Sequence, residues 1–297
     1  MSSILTNYGA MVALQNLQAT QRSLTETQNH ISSGLKVATA RDDASAWTIA
    51  STMKSNVASL NQVSQNLGNA DSILGTAVSG ATQISKLVSS IRAKVATFTD
   101  TSANKSAMQS EVTQLVNQIG ATIKSSSFNG VNLLDSTQPD GLVFLAATNN
   151  DYTATGGATS PTIATGAAVD LSSTGADTAV DDFYTLVGDM AAAITDTDPA
   201  TQQTNLDAAM KKIDAFAASV QGQAAQFGAV QQNVQSQKTF VTSLANSMQQ
   251  GVSNMVDADM TAESARLSAL QTQQQLAIQS LSIANTSSDS ILTLFRQ

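Results

Sequence analysis

The sequence predicts a mainly α fold: long antiparallel helices in two stacked bundle layers, both formed by the two chain ends, with a small irregular or β region in the middle. Three observations carry this reading. Pro139, Pro161 and Pro199 are the only prolines and all lie in the middle. Proline interrupts helices, so residues 1–138 and 200–297 are open to long helical runs. Apolar residues recur at seven-residue steps in both halves, the seam of a heptad repeat. Residues 139–182, by contrast, are rich in Gly, Thr, Ala and Ser and show no helical period.

The first terminal helix spans residues 4–31, with Ala10, Leu17, Leu24 and Ile31 at seven-residue steps and Leu14 and Leu35 on the flanking seam. A joint follows over 32–46. Gly34 suits the left-handed conformation that ends a helix, and Asp42 or Asp43 is placed to cap the next one. That helix carries Met53, Leu60, Leu67, Leu74, Ala81, Val88 and Val95. Trp47 sits just inside it and is expected to pack beside the joint. A shorter helix over about 105–125 shows Met108, Val112, Leu115, Ile119 and Ile123. The best strand candidate is "LVFLAA", 142–147, and helix resumes near "DDFYTLVGDMAAAI".

The return helix carries Ile213, Val220, Phe227, Val234, Val241, Met248 and Met255. Its companion seam is mixed, with Phe216, Val230 and Leu244 alternating with Gln223, Gln237 and Gly251. Such helices belong to a bundle rather than to a clean two-stranded coiled coil. A run of about 45 residues is roughly 65–70 Å long. The return joint is "MVDADMTAE", 255–263, where Asp257 or Asp259 caps the last helix. That helix carries Leu267, Leu270, Ala277, Leu281, Ala284, Ile291 and Phe295 at three/four spacing, with Leu294 beside them. The expected organisation is therefore a terminal layer of 1–44 plus 257–297, a long-helix layer of 45–138 plus 183–256, and a surface region of 139–182.

Charged residues make up 12% of the chain, about half of the ordinary fraction. The polar remainder is mostly Ser, Thr, Asn and Gln, so helix faces are largely uncharged and suited to packing against copies of the same chain. An exported protein with a polar surface has the same composition. Net charge is −8, and Lys and Arg form no stripe, which argues against nucleic acid as a partner. The chain has no cysteine, which excludes disulfides and thiolate metal sites. "MSSILTNYGAMVALQNLQ" has neither a basic region nor a continuous apolar run, so export is expected without a cleaved signal peptide. No stretch approaches the roughly 18 apolar residues of a membrane span.

His30 is the sole histidine, and neither a two-histidine metal site nor a Ser/His/Asp triad can be built around it. The acidic pairs Asp42/Asp43 and Asp181/Asp182 lack an Asx-Gly loop with several oxygen ligands and read as caps or solvated carboxylates. The chain is expected to be no enzyme, with no cofactor and no metal.

Motifs at both ends together resemble the bacterial flagellins. The first half matches through "NLQATQRSL", "ISSGLKVATARDDAS" and "SSSFNGVNLLD"; the second through "FGAVQQNVQ", "DADMTAESARLSALQTQQQLAIQSLSIAN" and the ending "ILTLFRQ". The style of the C-terminal half and the small middle resemble flagellins of alpha-proteobacteria. The resemblance implies a subunit that self-assembles into the tubular filament for swimming, exported by the flagellar type III apparatus to the cell exterior. Its implied partners are copies of itself, an export chaperone, the filament cap and the hook-junction proteins. The terminal helices would form the inner tube and the longer helices the outer tube, with 32–46 and 255–260 as the connection. Leu14, Leu17, Leu24, Ile31, Leu267, Leu270, Leu281, Ile291, Leu294 and Phe295 would supply subunit packing. A hook–filament junction protein and a secreted flagellin-like protein that never polymerises are the alternatives.

One stretch departs from the family pattern. Many enteric-type flagellins carry Arg-Val-Arg-Glu-Leu-Ala-Val on the first outer helix, read by an innate Toll-like receptor. Here the aligned stretch is "SIRAKVA", with Ser90 in place of an arginine and Lys94 in place of a leucine, while Arg92 and Glu111 keep the pattern. Weak receptor recognition is the expectation.

Overall fold

A computed structural model of the chain describes residues 7–99, 104–135, 143–145, 162–164, 184–186, 188–190, 192 and 198–294. Five long helices dominate: α1 (Tyr8–Ser33), α2 (Ala44–Ala96), α3 (Lys105–Ser125), α4 (Pro199–Val256) and α5 (Met260–Leu294). A short 3₁₀ turn, Thr97–Thr99, extends α2. Two small antiparallel pairs also lie among the described residues. β1 (Ser127–Phe128) pairs with β2 (Val131–Asn132), and β3 (Val143–Leu145) pairs with β4 (Thr162–Ala164). β3 lies inside the expected "LVFLAA" strand, and the described residues between 184 and 192 are helical, where helix was expected to resume. The chain groups into two compact units, Met1–Val57 with Asn246–Gln297, and Ala58–Ala245.

In the larger unit the heptad positions are the core. Leu60, Leu67, Leu74, Ala81, Val88 and Val95 on α2 are buried, as are Ile213, Val220, Phe227, Val234 and Val241 on α4. The two helices run antiparallel. Ser64 meets Thr242, the Gln231 and Gln235 amides donate to Asp71 Oδ1, and Arg92 pairs with Asp214. A second apolar row on α2 (Val63, Ala70, Ala77, Ile84 and Ile91, continued by Phe98) is also buried. The matching row on α4 is weaker: Phe216 is buried, but Gln223, Val230, Gln237, Leu244 and Gly251 are only half-buried. The difference has a physical cause. Besides α4, α2 meets α3 and the β1–β2 hairpin on another side, and two neighbours require two apolar rows.

α3 starts on an Asn104 cap, whose side chain accepts from the Ala107 N–H. It buries Val112, Val116, Ile119 and Ile123. The hairpin that follows turns through Asn129 (φ 52°) and Gly130 (φ 79°), the two left-handed residues that a two-residue hairpin favours. Asn132 anchors it from inside. Its amide donates to the Ile123 carbonyl and its Oδ1 accepts from the Leu134 N–H. Leu133 and Leu134 are buried beneath. The hairpin approaches α2 at Gly80, where an added Cβ would stand 2.3 Å from Ser126 Oγ and 2.8 Å from a Leu134 methyl.

Candidate functional site

The smaller unit contains most of the residues that the sequence singles out. α1 and α5 pack antiparallel along their length. Asn7 caps α1, its Oδ1 accepting from the Ala10 N–H and its amide donating to the Ala284 carbonyl. Further along, the Gln274 amide donates to Gln21 Oε1, and His30 Nδ1 lies 3.2 Å from Glu263 Oε1. The row Ala10, Leu17, Leu24, Ile31 lines this contact. Leu24 is buried and the other three are half-buried. From α5, Leu270 is buried and Leu267, Ala277, Leu281 and Ala284 are half-buried. Leu14 instead remains 45% exposed. Ile291 and Leu294 belong to the last turns of α5, and Phe295 lies outside the described residues.

A different set of apolar side chains is left uncovered. On α1 these are Tyr8, Met11 and Val12 beside Leu14; on α5 they are Leu276, Ile278 and Ile283. Leu276 and Ile283 are seven residues apart, so they share one helix face. The antiparallel register places both groups toward the same end of the pair. That end carries no charged residue over 7–21 or over 267–286. The seven-residue count by itself passes over these positions. A signal was present in "LAIQSLSI", where Leu276 with Ile278 and Leu281 with Ile283 widen the stripe beyond what one partner helix covers.

The joint is built from backbone. Gly34 takes φ +71° and its N–H donates to the His30 carbonyl, closing α1. Its own carbonyl accepts from the Ala258 N–H. The Val256 carbonyl accepts from the N–H groups of Lys36 and Val37, and Leu35 and Asp257 form a one-residue antiparallel bridge. The outgoing and returning chains are thus zipped together. Under them lies a small core of Val37, Ala50, Val252 and Val256, flanked by Leu35, Ala46, Met53 and Met255.

The acidic residues at the joint divide their work. Asp43 caps α2, its Oδ1 accepting from the N–H groups of Ser45 and Ala46 at 2.9 Å each. Asp259 caps α5 in the same way through Thr261 and Ala262. Asp42 closes the preceding turn, accepting at one oxygen from the Ala38 and Thr39 N–H groups and from the Thr39 hydroxyl. The backbone hydrogen bond from Thr39, ahead of its hydroxyl, holds the Asp42 carboxyl below its ordinary value. Asp257 contributes through its backbone. Trp47 differs from expectation: it is 41% exposed and stands outside the joint core. Ala46 and Ala50, four residues apart, take the inward face of α2 and turn position 47 outward.

In the larger unit, the residues of the departed motif are engaged within the chain. Ser90 Oγ donates to the Lys86 carbonyl of its own helix. Arg92 Nε pairs with Asp214 Oδ1 at 3.0 Å, and Lys94 Nζ pairs with Glu111 Oε2. Among the described residues no group of His, Cys, Asp and Glu side chains could hold a metal ion, and no helix is long and apolar enough to cross a membrane.

Comparison with known proteins points the same way. Residues 4–139 match the model of the bacterial flagellin N-terminal helical region, and residues 210–295 that of the bacterial flagellin C-terminal helical region. A flagellin of Brucella melitensis is 38% identical over 297 residues, covering 100% of both chains. Flagellin C of Rhizobium meliloti is 35% identical over 321 residues, again covering 100% of both. Flagellin FljM of Caulobacter vibrioides is 35% identical over 299 residues, covering 100% of this chain and 99% of its own.

Proposed function

Because the chain belongs to the bacterial flagellin family, in its alpha-proteobacterial branch, and so is a structural subunit of the flagellar filament, we propose that its subunits associate through the outer face of the α1–α5 pair. The observation that carries this is the uncharged end of that pair, with Tyr8, Met11, Val12, Leu14, Leu276, Ile278 and Ile283 uncovered. Uncovered apolar side chains in an uncharged stretch are suited to burial by a partner, and copies of the same chain are the partner that the family supplies. Leu24 and Leu270, buried within one subunit, act earlier by holding α1 on α5. Leu17, Ile31, Leu267 and Leu281 stand at the margin between the two roles, and the sequence adds Ile291, Leu294 and Phe295 to the packing set. Burying one leucine fully contributes about 1.5–3 kcal/mol, repeated at every subunit. Leu281→Asp and Phe295→Asp are each expected to stop filament growth under negative-stain microscopy; normal filaments from either would contradict its place in the interface.

In this reading residues 1–44 with 257–297 make the inner tube of the filament, 45–138 with 183–256 the outer tube, and 139–182 the outer surface. The chain acts by assembly, without catalysis. It leaves the cell through the flagellar export apparatus without a cleaved signal, escorted by a chaperone and added under the cap beyond the hook-junction proteins. Recognition by the innate flagellin receptor is weak, because Ser90 and Lys94 replace motif residues while Arg92 is held by Asp214 and Lys94 by Glu111. Strong signalling at low concentration in receptor-reporter cells would contradict that.

A further inference from the structure

The uncovered apolar side chains of the smaller unit divide by direction. On α1 the row that meets α5 is Ala10, Ala13, Leu17 and Leu24, with Ala13 and Leu24 buried. At about 100° per residue, Tyr8 and Met11 stand roughly 130–170° round the helix from that row. On α5 the row that meets α1 is Leu267, Leu270, Ala277, Leu281 and Ala284. By the same step Leu276 and Ile283 stand roughly 120–150° round from it. Each pair therefore points away from the partner helix. Tyr8 and Met11 mark the α1 edge, Leu276 and Ile283 mark the α5 edge, and the contact between the helices lies between them. Among the described residues of the two helices these four are the most exposed large apolar side chains, at 78%, 61%, 60% and 64%.

The two edges also match in level. The Asn7 amide donates to the Ala284 carbonyl, and the Gln274 amide donates to Gln21 Oε1. That antiparallel register puts Ile283 near the level of Ala10, and so of Met11, and puts Leu276 about two turns further along. Neither edge carries a charge over 7–21 or 267–286, so bringing them together buries no ion.

Symmetry decides which surface meets which. A surface that pairs with itself closes after two copies, whereas two different surfaces that fit each other can propagate into an open filament. The chain is a filament subunit. Pairing the α1 edge with another α1 edge would close a dimer and leave both α5 edges bare. Setting the α1 edge of one copy on the α5 edge of the next covers both edges of every subunit. We propose that copies of this chain join head to tail in this way, with Tyr8 and Met11 of one copy packed on Leu276 and Ile283 of the next. The proposal rests on the reading that the α1–α5 pair joins subunits, and adds how it does so.

The chain has no cysteine, so introduced thiols report contacts without background. Wild-type seeds are extended with Met11→Cys subunits, with Ile283→Cys subunits or with a mixture, and the filaments are oxidised and then dissolved in denaturant. The mixture should give a cross-linked dimer that neither variant gives alone. Cross-links only between copies of one variant, or none in the mixture, would overturn the head-to-tail pairing. Charge reversal gives an independent reading. Met11→Lys and Ile283→Glu should each suppress seeded growth, and the chain carrying both should regain it, because the introduced lysine of one copy meets the introduced glutamate of the next. A double variant that grows no better than the single ones would overturn the edge pairing and leave the α1–α5 pair as the joining surface. Single variants that both grow like the wild type would overturn that broader reading together with the proposal.

Discussion

At the scale of single residues, the joint and the hairpin depend on a few positions with one physical task each. Gly34 holds a left-handed backbone that other residues rarely adopt, and with it the α1 cap. Gly80 is required for space. Gly80→Ala would push a methyl into Ser126 and Leu134 and should lower stability by about 1–3 kcal/mol, readable as a lower urea midpoint. Asp43→Ala removes a helix cap and should cost about 1 kcal/mol on the same assay. Asp42 adds a pH dependence with a defined sign. Its carboxyl is held below the ordinary value by Thr39, so its contribution is full above the ordinary carboxylate range and fades as pH falls through the lowered value. Asp42→Asn should therefore be less stable than wild type at neutral pH, with the difference vanishing in strong acid. An unchanged difference across that range would contradict the Thr39 turn as its cause. Gly34 and the four acidic candidates were visible as punctuation in the sequence. Which aspartate capped and which closed a turn was not, because neighbouring carboxylates differ in role only through backbone angles that side-chain identity leaves open.

At the scale of elements, the long helices were legible because each buries a row that recurs every two turns. The seam from Leu60 to Val95 on α2 and that from Ile213 to Val241 on α4 are buried in the larger unit. The second α2 row, Val63 to Ile91, is as regular but includes Ala70 and Ala77, whose small side chains give a weak apolar signal. Leu74→Ala should cost about 2–5 kcal/mol, since Leu74 is fully buried; the same change at the exposed Leu276 should cost the isolated chain little. Trp47 was less legible. A large aromatic beside a joint suggests packing, yet two alanines one turn apart took the inward face. Apart from Leu14, the uncovered apolar residues of α1 and α5 were missed for a related reason. A heptad count finds the row that one partner helix covers, and it does not report apolar residues lying to either side.

At the scale of the whole molecule, low charge and a broad apolar face serve the same end. With 12% charged residues, copies of the chain meet with little like-charge repulsion and few buried ion pairs to desolvate. The family was readable directly, because its motifs stand at both ends of the chain. The most direct measurement is seeded growth of the purified chain, followed by light scattering, for wild type and for the double variant Leu276→Asp/Ile283→Asp. The account predicts growth of the wild type from seeds and none of the variant, although the variant unfolds at the wild-type urea midpoint. A variant that elongates like the wild type would contradict the claim that the outer face of α1 and α5 joins the subunits.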